Sequence, residues 1–386
     1  MMNKSLLALA LGTFEFGITE YVMMSILEPA AAALGVSVPT AGILISAYAL
    51  GVCAGAPLVV LVARRQPLKR IMLALACLCT AGGLTASLAP SFYVLLAARF
   101  ISGLPHGAWF GVGSIIAQRT ARAGREASAV SAMVAGMTVA NMAGVPLCTL
   151  AANFVSWRAP FIATVVLGAL MILAVRFWIP YQEPLPDRGF RGQFRFLKDA
   201  KPWLLLLGIA LSNGGVFCWY SYINPLITQT AGFSPHSMTL IAAWAGLGMV
   251  MGNLLGGRLS DRFAPTKVIF ALQGSILFLL TGIFFLFANR WAALGLTFLG
   301  TGVLFALSAP QQLLAIRFSP GGEMLGAACA QVGFNLGNAI GAWAGALPVR
   351  ELGLSYPYTA LMGVPFALAG FLVMLSLHRR ATRTAA

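Results

Sequence analysis

Charge is what this sequence has least of. Only 9% of its 386 residues are charged, Asp and Glu together number 10, and there are three histidines. A soluble domain carries about 25% charged side chains. A soluble chain that is 59% hydrophobic would also expose more apolar surface than a monomer tolerates. The shortage excludes a soluble enzyme, a secreted domain and a disordered tail. The six cysteines include no pair at zinc or redox spacing and read as small apolar packing residues. No nucleophile–base pair or ligand cluster stands out either, so the chain reads as a non-enzyme with no metal or cofactor. Period-2 alternation is missing, which disfavours a lipid-facing β-barrel.

What is abundant is long apolar runs. A membrane-crossing helix needs roughly 20 mostly apolar residues, and twelve such spans can be placed. They cover 5–33, 39–62, 68–89, 92–117, 126–152, 158–180, 202–230, 236–258, 266–288, 291–316, 322–349 and 355–377. Most connections are short, but residues 181–201 form a charged linker midway. It separates an N-terminal half, 1–180, from a C-terminal half, 202–386. The expected fold is an all-α integral membrane protein of two pseudo-symmetric six-helix halves.

The formal charge of +15 would suggest a nucleic-acid binder in a soluble protein. Here it reports topology. With the N-terminus inside, 21 Lys and Arg fall on inside loops and helix ends against 3 outside, namely Arg158, Arg290 and Arg350. The positive-inside rule then puts both termini in the cytoplasm, with the lipid bilayer rather than nucleic acid as partner. Lys4, the apolar run after it and Ala30-Ala31-Ala32 imitate a signal peptide. Glu15 and Glu20 interrupt that run, so it reads as an uncleaved first span.

The two halves repeat. Leu61–Ile71 recurs as Leu259–Ile269, and Gly136-x4-Asn141-x2-Gly144 in span 5 recurs as Gly333-x4-Asn338-x2-Gly341 in span 11. Repeated halves are a hallmark of alternating-access carriers, whose substrate site lies between the halves near the midplane.

Ionisable groups inside hydrocarbon cost about 2.5–3.5 kcal/mol each on insertion scales, so each needs a role or a partner. Four lie within spans: Glu15 and Glu20 in span 1, Arg99 and His106 in span 4. Glu15 falls near the midplane, and Glu20 lies at a depth comparable to Arg99. Arg99 and His106 are two turns apart on one helix face, whereas Glu15 and Glu20 are about 140° apart and cannot share a partner. These four are the proton-coupling candidates, with a structural Glu–Arg bridge as the bland alternative. Span 5 also carries Pro146 among small residues, and its matching glycines in span 11 imply packing across the halves. Gly257, Asp261 and Arg262 end span 8. Asp261 can latch one conformation there, asymmetrically, because the first half has Ala63 at the equivalent position. For the substrate cavity the candidates are Asn213, Trp219, Tyr220 and Asn224 of span 7, Gln311 and Gln312 of span 10, and Trp109 of span 4. Amides beside aromatic faces suit polyhydroxylated ligands and greasy drugs alike; Trp219 and Tyr222 also fit an interfacial belt.

Gly257-x-Leu-x-Asp-Arg262 after span 8 in a twelve-span, two-half chain resembles the major facilitator superfamily. Arg99-x3-Gly103 and Gly144-Val-Pro146 resemble its drug:proton antiporter subfamily. Leu11-Gly-Thr-Phe-Glu-Phe-Gly, Ser102-Gly-Leu-Pro-His-Gly-Ala-Trp-Phe-Gly and Phe334-Asn-Leu-Gly are similar to the sugar-efflux branch, above all AraJ-type arabinose efflux permeases. The resemblance implies proton-driven export of a small solute from the bacterial cytoplasm, with no cofactor beyond the proton gradient and a monomer as the working unit. The solute expected is a sugar such as arabinose, or else a drug or nucleoside. Glu20 and Arg99 fall on the family's span 1 acid and span 4 arginine. Glu15 departs from the pattern, and the loop between spans 2 and 3 lacks the superfamily's Gly and Asp.

Overall fold

A computed structural model describes residues 3–186 and 189–383; Asp187 and Arg188 of the linker lie outside the described residues. Among the described residues the fold is built of helices, and twelve long ones follow the twelve expected spans. The first half holds α1 (Lys4–Ser25), α2 (Val38–Ala63), α3 (Leu68–Ser87), α4 (Phe92–Thr120), α5 (Glu126–Phe154) and α6 (Ala159–Trp178). The second holds α7 (Ala200–Tyr220), α8 (Met238–Arg262), α9 (Pro265–Leu286), α10 (Arg290–Arg317), α11 (Glu323–Arg350) and α12 (Pro357–Arg383). Local chemistry sets the ends. The side chains of Asn3, Ser37, Asp199 and Asn289 cap α1, α2, α7 and α10 by accepting backbone N–H bonds that would otherwise be orphaned.

Three spans are less regular than their apolar runs suggest. The first breaks at Ile26 and continues as Leu27–Leu34, closed by Gly35 at φ 65°, a left-handed conformation that favours glycine. Span 7 stops at Tyr220 and continues as Ile223–Pro225 and a π turn, Leu226–Thr230. Inside α5, residues Ala140–Gly144 form a π turn just ahead of Pro146. Proline has no N–H and crowds the preceding turn, and a widened turn absorbs the defect. The position equivalent to Pro146 in α11 is Trp343, and α11 runs unbroken. One proline thus breaks the repeat.

Among the described residues, ten helices are long and apolar enough to cross a membrane. Of the other two, α11 is diluted by Gln331, Asn335 and Asn338. Large apolar side chains such as Phe154, Val166, Phe278 and Trp291 point outward, exposed, as a lipid-facing surface requires. Each half has its own apolar core, but they meet at one end. The first-half core of Trp109, Phe110 and Ile116 continues into Ala309, Met324, Leu325 and Ala328 of the second half. This is the end that carries both chain termini and the linker. At the opposite end the cluster around Ile18, Val22 and Phe92 stays within the first half.

Within the halves, helices touch backbone to backbone. A Cβ on Gly252 of α8 would collide with the backbone of Gly302 on α10, and one on Gly341 of α11 with that of Gly214 on α7. Gly136 and Gly144 of α5 press on Ala10, Thr13, Phe14 and Ile18 of α1, and Gly333 and Gly337 press on Ile209 and Ala210 of α7. The paired glycines therefore seal helices inside each half and do not join the halves, contrary to the sequence expectation; they make each half a stiff unit. Gly252→Val is expected to cost about 1–3 kcal/mol by overpacking and to lower the melting temperature in detergent. Gly295→Ala, where nothing lies within 4 Å, is expected to be neutral or slightly stabilising.

Candidate functional site

A cavity lined by residues of both halves lies between them at mid-height. Its two walls differ in chemistry. The first half contributes the ionisable side, with Glu20 and Tyr21 from α1 and His106 and Phe110 from α4, plus Asn141 from α5. Asn141 belongs to the π turn. The second half contributes amides: Asn213 of α7, Gln312 of α10, and Gln331, Asn335 and Asn338 of α11. Tyr220, Phe217, Phe305 and Phe334 interleave with them.

Glu20 is the carboxylate that reaches this space, with its side chain 13% exposed and Oε2 4.0 Å from His106 Nε2. The other imidazole nitrogen, Nδ1, lies 2.8 Å from the Tyr48 hydroxyl. When that hydroxyl donates, the imidazole hydrogen sits on Nε2 and faces Glu20. Phe110 stacks on the imidazole at 5.0 Å and Phe16 meets it edge-on. Arg99 lies 4.5 Å over the ring of Tyr48. Its Nη1 donates to Thr19 O at 2.5 Å and its Nε to Leu44 O at 3.4 Å. Arg99 Nη2 has no partner, and neither does Glu20 Oε2 by hydrogen bond. No direct Glu20–Arg99 ion pair forms among the described residues; Tyr48 and His106 stand between them. Cation and carboxylate are thus coupled through an aromatic relay rather than neutralised by contact.

Glu15 points elsewhere. It is 1% exposed, accepts from Thr19 Oγ1 at 2.8 Å and from Cys79 Sγ at 3.1 Å, and is not on the cavity wall.

The amide wall has a preferred polarity. Asn213 Nδ2 donates to Ile209 O, Asn335 Nδ2 to Gln331 O, Gln312 Nε2 to Ala327 O, and Gln331 Nε2 to Gln312 Oε1, at 3.0 to 3.3 Å. Each of these bonds fixes which end of the amide is the NH2 group. Asn338 Oδ1 is buried without a partner. The carbonyl oxygens of Asn213, Gln331, Asn335 and Asn338 accept no bond from the described residues. The wall offers acceptors to a ligand rich in donors.

Of the sequence candidates, Asn213, Tyr220 and Gln312 line the cavity, and four others do not. Trp109 is fully buried in the first-half core, pressed on Gly12 and 5.5 Å from Phe16. Trp219 is 1% exposed and wedged against Gly300 of α10. Asn224 is exposed beyond the end of α7. Gln311 is buried, neither amide atom partnered. Neighbours on a helix are about 100° apart, so if Tyr220 and Gln312 face the cavity, Trp219 and Gln311 face the packed interior. Tyr222 donates to Ala342 O at 2.8 Å. Sequence reasoning passed over Tyr48, Thr19, Gln331 and Asn335 as site residues, and read Asn338 as part of a packing motif rather than of the cavity wall. Gln331, Asn335 and Asn338 recur at i, i+4 and i+7, a polar stripe on one face of an apolar helix that the sequence displays openly.

The halves are clasped at the termini-bearing end. Asp261 Oδ1 accepts from Ala127 N at 2.9 Å and from Ser128 N at 3.3 Å, and Oδ2 from Ser128 N at 3.2 Å. A carboxylate thus closes the N-terminus of α5, where orphan N–H groups and the helix dipole favour an anion. Ser131 Oγ donates to Asn253 O and Asn253 Nδ2 to Ser131 O, both at 2.7 Å. Gly257 abuts Ala127 and Ser131 of α5. Arg262 stays out of the clasp, its guanidinium 5.6 Å over Phe263. The counterpart at α11 is different: Gly322 is covered by the linker at Gln193 and Phe196.

The family model of the major facilitator superfamily matches residues 9–324 and 205–386. AraJ of Escherichia coli (strain K12) is 42% identical over 376 residues, covering 97% of this chain and 94% of that protein. A Helicobacter pylori (strain G27) protein named "Probable sugar efflux transporter" is 29% identical, with 90% of this chain and 88% of the relative covered. Among solved structures, the E. coli fucose:proton symporter FucP superposes with a TM-score of 0.78 at 15% identity, covering 96% and 98% of the two chains. That likeness is one of fold.

Asp261→Asn retains the shape but loses the charge at the α5 N-terminus. Loss of about 1 kcal/mol there is expected to raise hydrogen exchange of the Ala127 and Ser128 amides roughly fivefold, read by mass spectrometry, with the rest of α5 unchanged.

Proposed function

The chain belongs to the major facilitator superfamily of multi-pass membrane transporters, and we propose that it exports a small neutral sugar, arabinose or a similar polyol, in exchange for protons. The observation that carries this reading is the division of the cavity: one carboxylate with its imidazole on the first-half wall, and unpartnered amide carbonyls on the other. Sugar hydroxyls donate to those carbonyls, and Tyr220, Phe217 and Phe334 offer faces to sugar C–H groups. Buried amides left unpaired disfavour a ligand that lacks the donors.

The geometry supports a cycle in which one carboxylate on the cavity wall carries the proton. Glu20 takes up a proton when the cavity opens outward and gives it up when the cavity opens to the cytoplasm, where sugar enters. The stiff halves rock about the cavity. The Asp261 clasp and the merged apolar cores hold the cytoplasmic end shut in the conformation seen here. In this reading the membrane is the bacterial inner membrane, and the bias of loop cations supports a cytoplasmic position for that end and both termini. Each proton moving inward supplies about 2.3 kcal/mol per 100 mV. The cavity is complete within one chain, which fits a functional monomer.

A drug exporter is the second reading, favoured by Phe110, Phe217, Phe305 and Phe334 on the wall. Inverted vesicles separate the two. Arabinose is expected to dissipate a preformed pH gradient, and a lipophilic cation is not; the reverse result would establish the drug reading. Glu20→Gln in proteoliposomes is expected to lose pH-gradient-driven transport at least tenfold while retaining sugar counterflow. Full gradient-driven transport by that variant would remove Glu20 from the coupling step. Gln331→Ala is expected to raise the sugar KM about tenfold, the cost of one lost hydrogen bond to a bound hydroxyl.

A further inference from the structure

The cavity wall presents an acid and no fixed cation to match it. Among the described residues that line it, Glu20 is the only carboxylate and there is no Lys or Arg. The ionisable groups around Glu20 can be taken helix by helix. On the wall itself α1 brings Tyr21, α4 brings His106 and α7 brings Tyr220; behind it lie Tyr48 of α2 and Arg99 of α4. The wall residues of α5, α8, α10 and α11 are amides, apolar side chains and Ser308. Glu20 Oε2 is buried without a hydrogen-bond partner, and so, on the facing half, is Asn338 Oδ1. Both are acceptors, and a buried acceptor left unpaired costs free energy until a donor arrives.

A neutral sugar meets that need only in part. Its hydroxyls pair with the carbonyls of Asn213, Gln331, Asn335 and Asn338, but a hydroxyl against Glu20 leaves the charge of the carboxylate uncompensated. An ammonium group supplies what is missing. It has three donors, no acceptor and the opposite charge, so its bond to a carboxylate is charge-assisted. The faces of Tyr21, Phe110, Phe217 and Tyr220 line the same space, and aromatic faces attract cations. A purely apolar cation would leave the amide carbonyls unpaired, and an anionic sugar would meet a carboxylate with no Lys or Arg on the wall to hold it. The two walls together therefore select a molecule with an amine at one end and hydroxyls at the other.

We propose that the cavity also carries protonated amino sugars and similar hydroxylated amines, their ammonium group on Glu20 and their hydroxyls on the amide wall. Ammonium and coupling proton then occupy Glu20 in turn. Each brings one positive charge to the same carboxylate, so each excludes the other. On the cytoplasmic side Glu20 gives up its proton and the ammonium takes its place; on the outer side a proton displaces the ammonium. One proton enters and one ammonium leaves, and no net charge crosses. A neutral sugar exchanged one for one with a proton moves one charge inward. One carrier thus runs electrogenically with one substrate and electroneutrally with the other. This inference rests on the sugar reading and on Glu20 as the cavity proton site.

Counterflow of labelled arabinose in proteoliposomes, at the same slightly acid pH on both sides, tests where the ammonium binds. The probe 2-amino-2-deoxyglucose is expected to compete about tenfold more strongly than glucose, which differs from it by one hydroxyl in place of the ammonium. Glu20→Gln is expected to bring the two competitors within about twofold of each other. Accumulation without a pH gradient tests the charge balance and needs no variant, so it stands even if Glu20→Gln misfolds. A potassium–valinomycin potential of about 60 mV is expected to change the steady-state distribution of arabinose about tenfold, as one charge per turnover requires. The distribution of the amino sugar, corrected with protein-free vesicles, is expected to stay where it is. Competition no better than that of glucose, an advantage that survives Glu20→Gln, or amino-sugar accumulation that follows the potential as arabinose does overturns the proposal. Each of those results leaves the sugar reading standing, because arabinose still moves. Absence of arabinose counterflow would instead remove the sugar reading, and the proposal with it.

Discussion

A charge placed inside hydrocarbon has to be compensated by the protein itself, and the first half of this molecule is organised around Arg99. The guanidinium is fully buried and never neutral. Two backbone carbonyls, Thr19 O and Leu44 O, and the face of Tyr48 hold it. Those anchors pin α1 and α2 to α4 and thereby fix the height and rotation at which Glu20 and Glu15 enter the bundle. Helix packing, polar geometry and the cavity wall on this side are consequences of one buried cation. Thr19, Leu44, Tyr48 and His106 are drawn into one chain of contacts that starts from it.

The second half solves a different problem with the same scaffold. Within the described residues its cavity wall is amide and aromatic, without a carboxylate. Its polar groups are satisfied locally, amide to helix carbonyl, which orients their free oxygens into the cavity. The two halves descend from a repeated pattern, yet Pro146 and the π turn ahead of it exist in one copy only. The clasp is also one-sided, with Asp261 on the α5 N-terminus and linker backbone over the start of α11. This asymmetry suits a carrier whose proposed proton and sugar sites lie on opposite walls: each half can be tuned without disturbing the other's chemistry.

Much of the architecture is legible in the residues because the bilayer imposes a one-dimensional constraint. Apolar length sets the spans, loop cations set the orientation, and the offset between Gly136 and Gly333 reveals the repeat. The breaks at Ile26 and Tyr220 are less legible, since apolar runs continue through them. Of the cavity residues, Glu20, His106, Asn141, Asn213 and Asn338 could be singled out from type and spacing. Tyr48 could not, because a lone tyrosine in an apolar helix carries no signal until its hydroxyl is seen against His106. Trp109 and Trp219 show the opposite failure. Their chemistry suits a sugar, but their rotation about the helix directs them into packing.

The sequence by itself determined that this is a twelve-span membrane protein of two related halves, in which direction the loops carry charge, and which few ionisable groups had to matter. Those properties follow from composition and order along the chain. Only the tertiary structure decided which side of each helix faces the cavity. It separated Glu15 from Glu20, inserted Tyr48 and His106 between cation and carboxylate, and joined Asp261 to α5. Each of these depends on how helices distant in sequence are rotated against one another, and that rotation is set by packing contacts which no single span contains.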